Sequence, residues 1–321
     1  MVCKNDKYLP KYWWGNVVLS PNFHFRPFGN EYKSTHHKSK TIYRKSHLLP
    51  VTPKNFYPFM PLFQYNLYST KYYCGLLLLI VLLGGGQLAL QAQNEFATAQ
   101  LNHPRVAEAR SREYLFRREF ERRNIPFPPT EIFFRAFKKE GILEAWAKNN
   151  NGTFEKIKEY TICAPSGKLG PKRKRGDLQV PEGFYYIKSF NPVSSYYLSL
   201  EVSYPNESDR ILGGGSSLGG DIYLHGDCVS EGCLPLTNDK MKEVYWMAAL
   251  ARDNGQAQIP IHIFPYKFRN LKFHQLEVAK HYNNQRLINF WDNLRIGYDI
   301  FENNRTLPNV NVNGDGSYSF W

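Results

Sequence analysis

His225 and Cys233 lie eight positions apart in Gly220-Asp221-Ile222-Tyr223-Leu224-His225-Gly226-Asp227-Cys228-Val229-Ser230-Glu231-Gly232-Cys233. A thiol attacks a carbonyl as thiolate, and a neighbouring imidazole lowers its pKa and takes its proton. Gly232, directly before the thiol, permits a sharp turn and lets backbone N–H groups approach a substrate carbonyl. His225 ends a strand-like run, so its ring can face a loop that returns at Cys233. These are the parts of a cysteine nucleophile and its base. Five fixed positions, His-Gly and then Ser-x-Gly-Cys, are expected by chance roughly once in ten thousand trials or less at ordinary residue frequencies.

The block resembles the catalytic signature of the murein L,D-transpeptidases, the YkuD-type domain of the ErfK/YbiS group. The short His-to-Cys spacing, with Asp227-Cys228-Val229 between, is most similar to the YafK-type subgroup. Residues 130–146 (TEIFFRAFKKEGILEAW), 160–187, 261–268 and 290–300 carry the likeness further, over about residues 105–320 in order. The resemblance implies an irregular β-sandwich and a cell-wall enzyme acting on peptidoglycan stem peptides. Cys233 would be the acylated nucleophile, attacking the carbonyl at the L-centre of diaminopimelate, with His225 as general base and acid. The third member would be the Gly226 carbonyl, accepting the Nδ1–H and fixing the tautomer. Asp227 is a rival orienter.

The N–H groups of Gly232 and Cys233 are the candidate oxyanion hole, where one donor is typically worth about 2.7–4 kcal/mol. Ser230 could bond the histidine or brace the loop. Tyr223, Asp227 and Lys172 are candidate substrate contacts. The resemblance calls for no metal and no cofactor. The family often has Arg or Asn two residues after the cysteine, where this chain has Pro235. The acyl acceptor decides the reaction. A diaminopimelate amine gives a crosslink, a protein lysine gives an attached lipoprotein, and water gives hydrolysis, including release of protein bound to murein. A non-catalytic wall-binding module is the reading from another class.

The elements that must position these residues read as α+β, mainly β with added helices. An amphipathic helix is expected over 103–124, ended by Pro126-Phe127-Pro128-Pro129. Strands are expected at 132–137, 143–147, 154–157, 160–163, 183–188, 196–202, 222–225 and 259–264, with a hairpin turn at Asn149-Asn150-Asn151-Gly152. Helices are expected at 240–252 and 285–301. His262, inside Ile261-His262-Ile263-Phe264, reads as a core histidine. The Lys172-Arg173-Lys174-Arg175 run reads as a solvated loop, with attraction to anionic wall polymer as the functional alternative.

The 321-residue chain has a net charge of +13, unevenly spread. Residues 1–73 hold eleven of the 41 Lys/Arg and two of the 28 acids, so they carry +9 of that charge. The basic balance therefore makes no case for nucleic acid binding by the rest. Residues 74–93 are uncharged, with an apolar run from Leu76 to Leu83. That run is short for a membrane span and has the size of a signal-peptide core. We expect an upstream extension, disordered, over 1–59, a signal peptide over 60–93 starting at Met60, a helical segment over 94–130, a catalytic domain over 131–270, and a C-terminal helical extension and tail over 271–321. The mature protein would then be periplasmic or in the cell envelope, meeting the membrane only through the signal segment. The cysteines are Cys3, Cys74, Cys163, Cys228 and Cys233. The last three are odd in number and lack zinc-type CxxC pairing, so neither a disulfide framework nor a structural zinc is expected. Cys163 reads as a small buried hydrophobe.

Overall fold

The computed structural model describes Gln100 and residues 102–321. The expectations for 1–59 and 60–93 lie outside the described residues. Eight strands form one mixed sheet in the order β3-β2-β1-β8-β4-β5-β6-β7. They are β1 (Ile132–Phe137), β2 (Ile142–Lys148), β3 (Phe154–Thr161), β4 (Gly183–Asn191), β5 (Ser199–Val202), β6 (Tyr223–His225), β7 (Leu234–Pro235) and β8 (Ile259–Phe264). A separate two-stranded ribbon pairs β9 (Val310–Val312) with β10 (Tyr318–Phe320). The helices are α1 (Pro104–Arg110), α2 (Tyr114–Arg122), α3 (Glu207–Leu212), α4 (Asn238–Asp253), α5 (Leu271–Lys280) and α6 (Gln285–Asn304). The class is α+β, as the sequence pattern predicts. No helix among the described residues is long and apolar enough to cross a membrane.

Every residue of β1 is buried, and the two-residue period of a strand sorts them onto two faces. Ile132, Phe134 and Ala136 join Leu143, Ala145 and Ala147 of β2 and Ile259, Ile261 and Ile263 of β8. Met241, Val244, Tyr245 and Ala248 of α4 cover that face, together with Val106, Phe116 and Phe120 of α1 and α2. The alternate residues Phe133 and Phe137 meet α6 through Phe301 and Tyr298. Each such side chain, fully buried, contributes about 1.5–3 kcal/mol.

The same alternation puts Arg135 and Glu144 on the α6 face. Their side chains pair at 2.8 Å, and Arg135 reaches Glu302 of α6 at 2.7 Å. Trp146 donates its indole N–H to Glu144 at 3.0 Å. Removing one partner from such a buried group would leave an uncompensated charge and cost about 3–5 kcal/mol.

The single helix expected over 103–124 is two helices. Ser111 Oγ donates to the Glu108 carbonyl at 2.7 Å, and the amides of Arg112 and Glu113 bond three residues back. Local side-chain bonding of this kind competes with helix continuation. The two strands expected at 154–157 and 160–163 are one strand, β3, which stops before Cys163. The strand at 196–202 shortens to β5. Helix α3, closed by an Asn206–Asp209 capping box, and the two-residue β7 were not foreseen.

His262 sits 4.9 Å from the Phe133 ring and 4.8 Å from the Phe184 ring. Burial, assisted by Arg135, pushes its pKa down from 6.5 to about 3. Between those values the unfolded chain binds a proton that the folded chain refuses. The stability is therefore intact above pH 6.5 and falls as pH falls through the window, by up to about 1.4 kcal/mol per pH unit. We expect the melting temperature to drop between pH 7.5 and 5, and to drop less in His262→Leu. Equal drops in the two proteins, read by scanning calorimetry, would remove His262 as the cause.

Candidate active site

Strands β6 and β7 are parallel neighbours, with Leu224 opposite Leu234 and His225 opposite Pro235. Extending that register by one residue places Cys233 opposite Tyr223. The two-residue period then puts Tyr223, His225 and Cys233 on one face. Leu224 and Leu234 point the other way, into the α4-side core. The loop 226–232 thus returns the chain to the strand next to the one that carries the histidine.

Both side chains are almost fully enclosed, His225 and Cys233 each being 1% exposed. His225 Nδ1 meets the Gly226 carbonyl at 2.5 Å, which makes Nδ1 the protonated nitrogen and leaves Nε2 bare in the neutral ring. Nε2 is buried without a hydrogen-bond partner. Burial lowers the His225 pKa below its ordinary value, opposed by the Gly226 bond and by the Asp227 charge, so the ring is neutral at neutral pH. Asp227 does not orient the ring. Its backbone N–H instead donates to Asn238 Oδ1 at 2.8 Å, which ties the loop to the start of α4. The Cys233 thiol faces the Asp221 carbonyl at 3.6 Å.

Two glycines permit this packing. A Cβ on Gly226 would come within 2.5 Å of Asn238 Oδ1 and 2.8 Å of the Tyr196 carbonyl. Gly232 has φ +118°, and a Cβ there would meet the Gln179 carbonyl at 3.0 Å. An L side chain is strained at that φ.

Ser230 braces the loop. Its hydroxyl donates to the Cys233 carbonyl at 2.9 Å and accepts from the N–H groups of Cys233 at 2.9 Å and Gly232 at 3.3 Å. In this structure both candidate oxyanion donors thus point at Ser230. Lys172 is placed otherwise than expected for a substrate contact. Its ammonium is buried and pairs with Asp177 at 2.6 Å while donating to the Lys174 carbonyl at 2.8 Å. Tyr223 is half-buried on the face it shares with His225.

The expectation of unpaired cysteines fails. Cys163 and Cys228 form a disulfide across 65 residues of chain, and Cys233 stays outside that bond. Cys163 is therefore no buried hydrophobe. The bridge fastens the middle of the His-to-Cys loop to the segment after β3. The Cys163 N–H strengthens that attachment by donating to the Pro235 carbonyl at 3.0 Å.

Residues distant in sequence complete the site. The Tyr196 ring lies 4.7 Å from the His225 ring and covers it. The loop carrying Tyr196 is held by Arg105 of α1, which donates to the carbonyls of Ser194 at 2.7 Å and Tyr197 at 2.5 Å. No short-range signal marks either residue. A cavity of about 240 Å³ opens beside Cys233, lined by Lys138, Ser166, Lys168, Leu169 and Val180 among others. Among the described residues no group of three or more His, Cys, Asp or Glu is arranged to hold a metal ion.

A model of the L,D-transpeptidase catalytic domain (YkuD) matches residues 139–263. YafK of Escherichia coli (strain K12), which carries the provisional name of an L,D-transpeptidase, is 35% identical over 185 residues, covering 56% of this chain and 70% of that protein. YafK of Escherichia coli O157:H7 matches to the same extent. Among solved structures, the helical cell shape determining protein Pgp2 from Campylobacter jejuni is 23% identical with a TM-score of 0.34, covering 42% of this chain and 48% of its own. Bdellovibrio bacteriovorus Bd1075 is 25% identical with a TM-score of 0.30, covering 43% of this chain and 48% of its own.

Closing a loop of this length with a disulfide is typically worth about 2–4 kcal/mol. We expect non-reducing peptide mapping to recover the Cys163 and Cys228 peptides joined. The double substitution Cys163→Ser/Cys228→Ser should lose about 2–4 kcal/mol of unfolding free energy. Recovery of both peptides as free thiols from oxidised protein would refute the pairing.

Proposed function

The chain belongs to the L,D-transpeptidase (YkuD) family, and on that premise we propose that it cleaves and re-forms peptide bonds in peptidoglycan stem peptides through a Cys233 acyl-enzyme. The observation that carries this reading is the state of His225. Its Nδ1 is committed to the Gly226 carbonyl, while its Nε2 is buried and unpartnered on the face that Cys233 shares.

Cys233 Sγ gives its proton to His225 Nε2, and the thiolate attacks the carbonyl carbon at the L-centre of diaminopimelate. The tetrahedral intermediate collapses as the C–N bond to the following D-residue breaks. The departing amine takes the proton from His225, leaving a thioester. An acceptor then attacks the thioester and loses its proton to His225, and the thiolate leaves and is reprotonated. The Gly226 carbonyl holds the ring through both proton transfers, and the Tyr196 ring limits its tilt. Donors for the developing oxyanion become available when the Ser230 hydroxyl releases the Gly232 and Cys233 N–H groups.

A crosslinking transpeptidase uses a diaminopimelate amine as acceptor, or attaches a lipoprotein through a protein lysine. A hydrolase uses water, and the likeness to the YafK-type subgroup is the ground for keeping that second reading. The cell envelope is the proposed location. The Cys163–Cys228 disulfide supports it, because such bonds persist in oxidising compartments outside the cytoplasm.

Incubation with a disaccharide-tetrapeptide, with and without an acceptor muropeptide, tests the proposal by mass spectrometry. A 3–3 linked dimer is the expected product of a transpeptidase. Loss of D-Ala without a dimer identifies water as acceptor. Cys233→Ala should abolish the acyl-enzyme mass and all turnover while keeping the melting profile. Full turnover in that variant would sink the assignment, and an inert Cys233 in the intact protein would favour a wall-binding module.

A further inference from the structure

A second and larger cavity, of about 710 Å³, lies against the first and shares Lys168 and Leu169 with it. Gln179 lines the larger cavity next to these shared residues. The Gln179 carbonyl closes on Gly232, and its side-chain Oε1 accepts the Lys168 N–H at 2.8 Å. Much of the far side comes from outside residues 139–263. Asn284, Arg286, Leu287 and Asn289 stand at the start of α6, and Asp315 in the turn between β9 and β10.

The charges in this cavity are unbalanced. Lys168 and Arg286 are exposed, and neither has an acidic partner among the described residues. Arg173 is fixed by Asp209 at 2.6 Å and stacks on the Phe290 ring at 5.1 Å. The one lining carboxylate, Asp315, turns back on its own loop and accepts from the Ser317 N–H at 2.9 Å and hydroxyl at 2.7 Å. Two open cations therefore line a cavity that also has apolar lining from Leu169, Leu287 and Phe290.

The cavity beside the thiol, at about 240 Å³, is smaller than the roughly 300–1,000 Å³ of an ordinary ligand site. A peptide with its reacting carbonyl at Cys233 must continue elsewhere, and the shared wall at Lys168 leads it into the larger cavity. We infer that this second cavity binds the carboxylate-bearing continuation of a peptide substrate, with Lys168 and Arg286 pairing its free carboxylates. The inference rests on the reading of the substrate as a stem peptide. It adds that substrate choice is set by the C-terminal segment, beyond the catalytic domain. Asn284 and Asn289 also line the cavity, and their side-chain oxygens are held within the helix by Leu287 and Gln285, which leaves their NH2 groups for the carbonyls of a peptide backbone.

The test uses the full chain carrying Cys233→Ala, so that binding is read without turnover. A fluorescent stem tetrapeptide with free carboxylates is titrated by anisotropy against the same peptide with its non-reacting carboxylates amidated. We expect the acid form to bind at least ten-fold tighter and to lose that advantage in Arg286→Glu and in Lys168→Glu. The amidated form should bind all three proteins alike. Both substitutions are at exposed positions, and unchanged melting profiles confirm that the fold is kept. Equal binding of the two peptides, no effect of either substitution, or no saturable binding of the acid form would overturn the inference. Parallel assays with Cys233 intact keep the two proposals apart. Carboxylate-dependent binding without acyl transfer defeats the catalytic reading and leaves the cavity's role standing. Turnover with equal KM for both peptides does the reverse.

Discussion

One buried carboxylate joins the parts of the molecule that make the site. Glu182 is fully enclosed, so its charge must be met on all sides. Lys138, just past β1, meets it at 2.9 Å; the Gly170 N–H donates at 2.7 Å and the Trp291 indole at 2.9 Å. The Lys138 ammonium also donates to the carbonyls of Gly170 at 2.7 Å and Val180 at 2.9 Å. Burial pulls the Lys138 pKa down, and Glu182 opposes that pull. Both ends of the 170–180 loop are thereby tied to the sheet and to α6. That loop places Gln179 against Gly232, so a remote charge pair fixes the wall next to Cys233.

The loop between β6 and β7 is constrained in a complementary way. Parallel pairing of two adjacent strands demands a crossover, and here it is only eight residues long, 226–233. Such a short connection could not hold its own shape. Three attachments hold it: the disulfide at Cys228, the Asn238 side chain on the Asp227 N–H, and the Ser230 hydroxyl on the N–H groups of Gly232 and Cys233. The Ser230 arrangement satisfies two buried donors at rest. It also means that stabilising an oxyanion exchanges one acceptor for another, so part of the gain is offset by the bonds released.

The parts of the site encoded by neighbours in sequence were legible. His225, Gly226, Gly232 and Cys233 fall within nine residues, and the carbonyl that orients the ring belongs to the residue next to it. The α+β class was legible too, because alternation in β1, β2 and β8 follows from the pleat. What was not legible depends on contacts across the sheet. Tyr196 covers His225 only because β5 and β6 pair, and Arg105 acts through a loop 89 residues away. The Cys163–Cys228 bond defeated an argument from cysteine parity, since an odd total says nothing of which two sulfurs the fold brings together. The same limit explains Lys172. A basic run looks solvated in sequence, yet Asp177 turns back to bury one of its cations.

Helix α6 shows why the C-terminal segment can act as part of the site instead of as an appendage. It is pinned at Trp291 by Glu182 and at Glu302 by Arg135, and Asn293 exchanges two bonds with Tyr318 at 2.7 and 2.8 Å. These contacts lie along most of its length and reach β1, the 170–182 segment and the ribbon. Its first turn, which bears Arg286, is therefore held at a set distance from the wall that bears Lys168. Arg286 on this anchored helix has little backbone freedom left to lose when a ligand reaches it. The buried ion pairs that cost the fold its freedom are thus what gives the cavity beside the thiol a fixed shape.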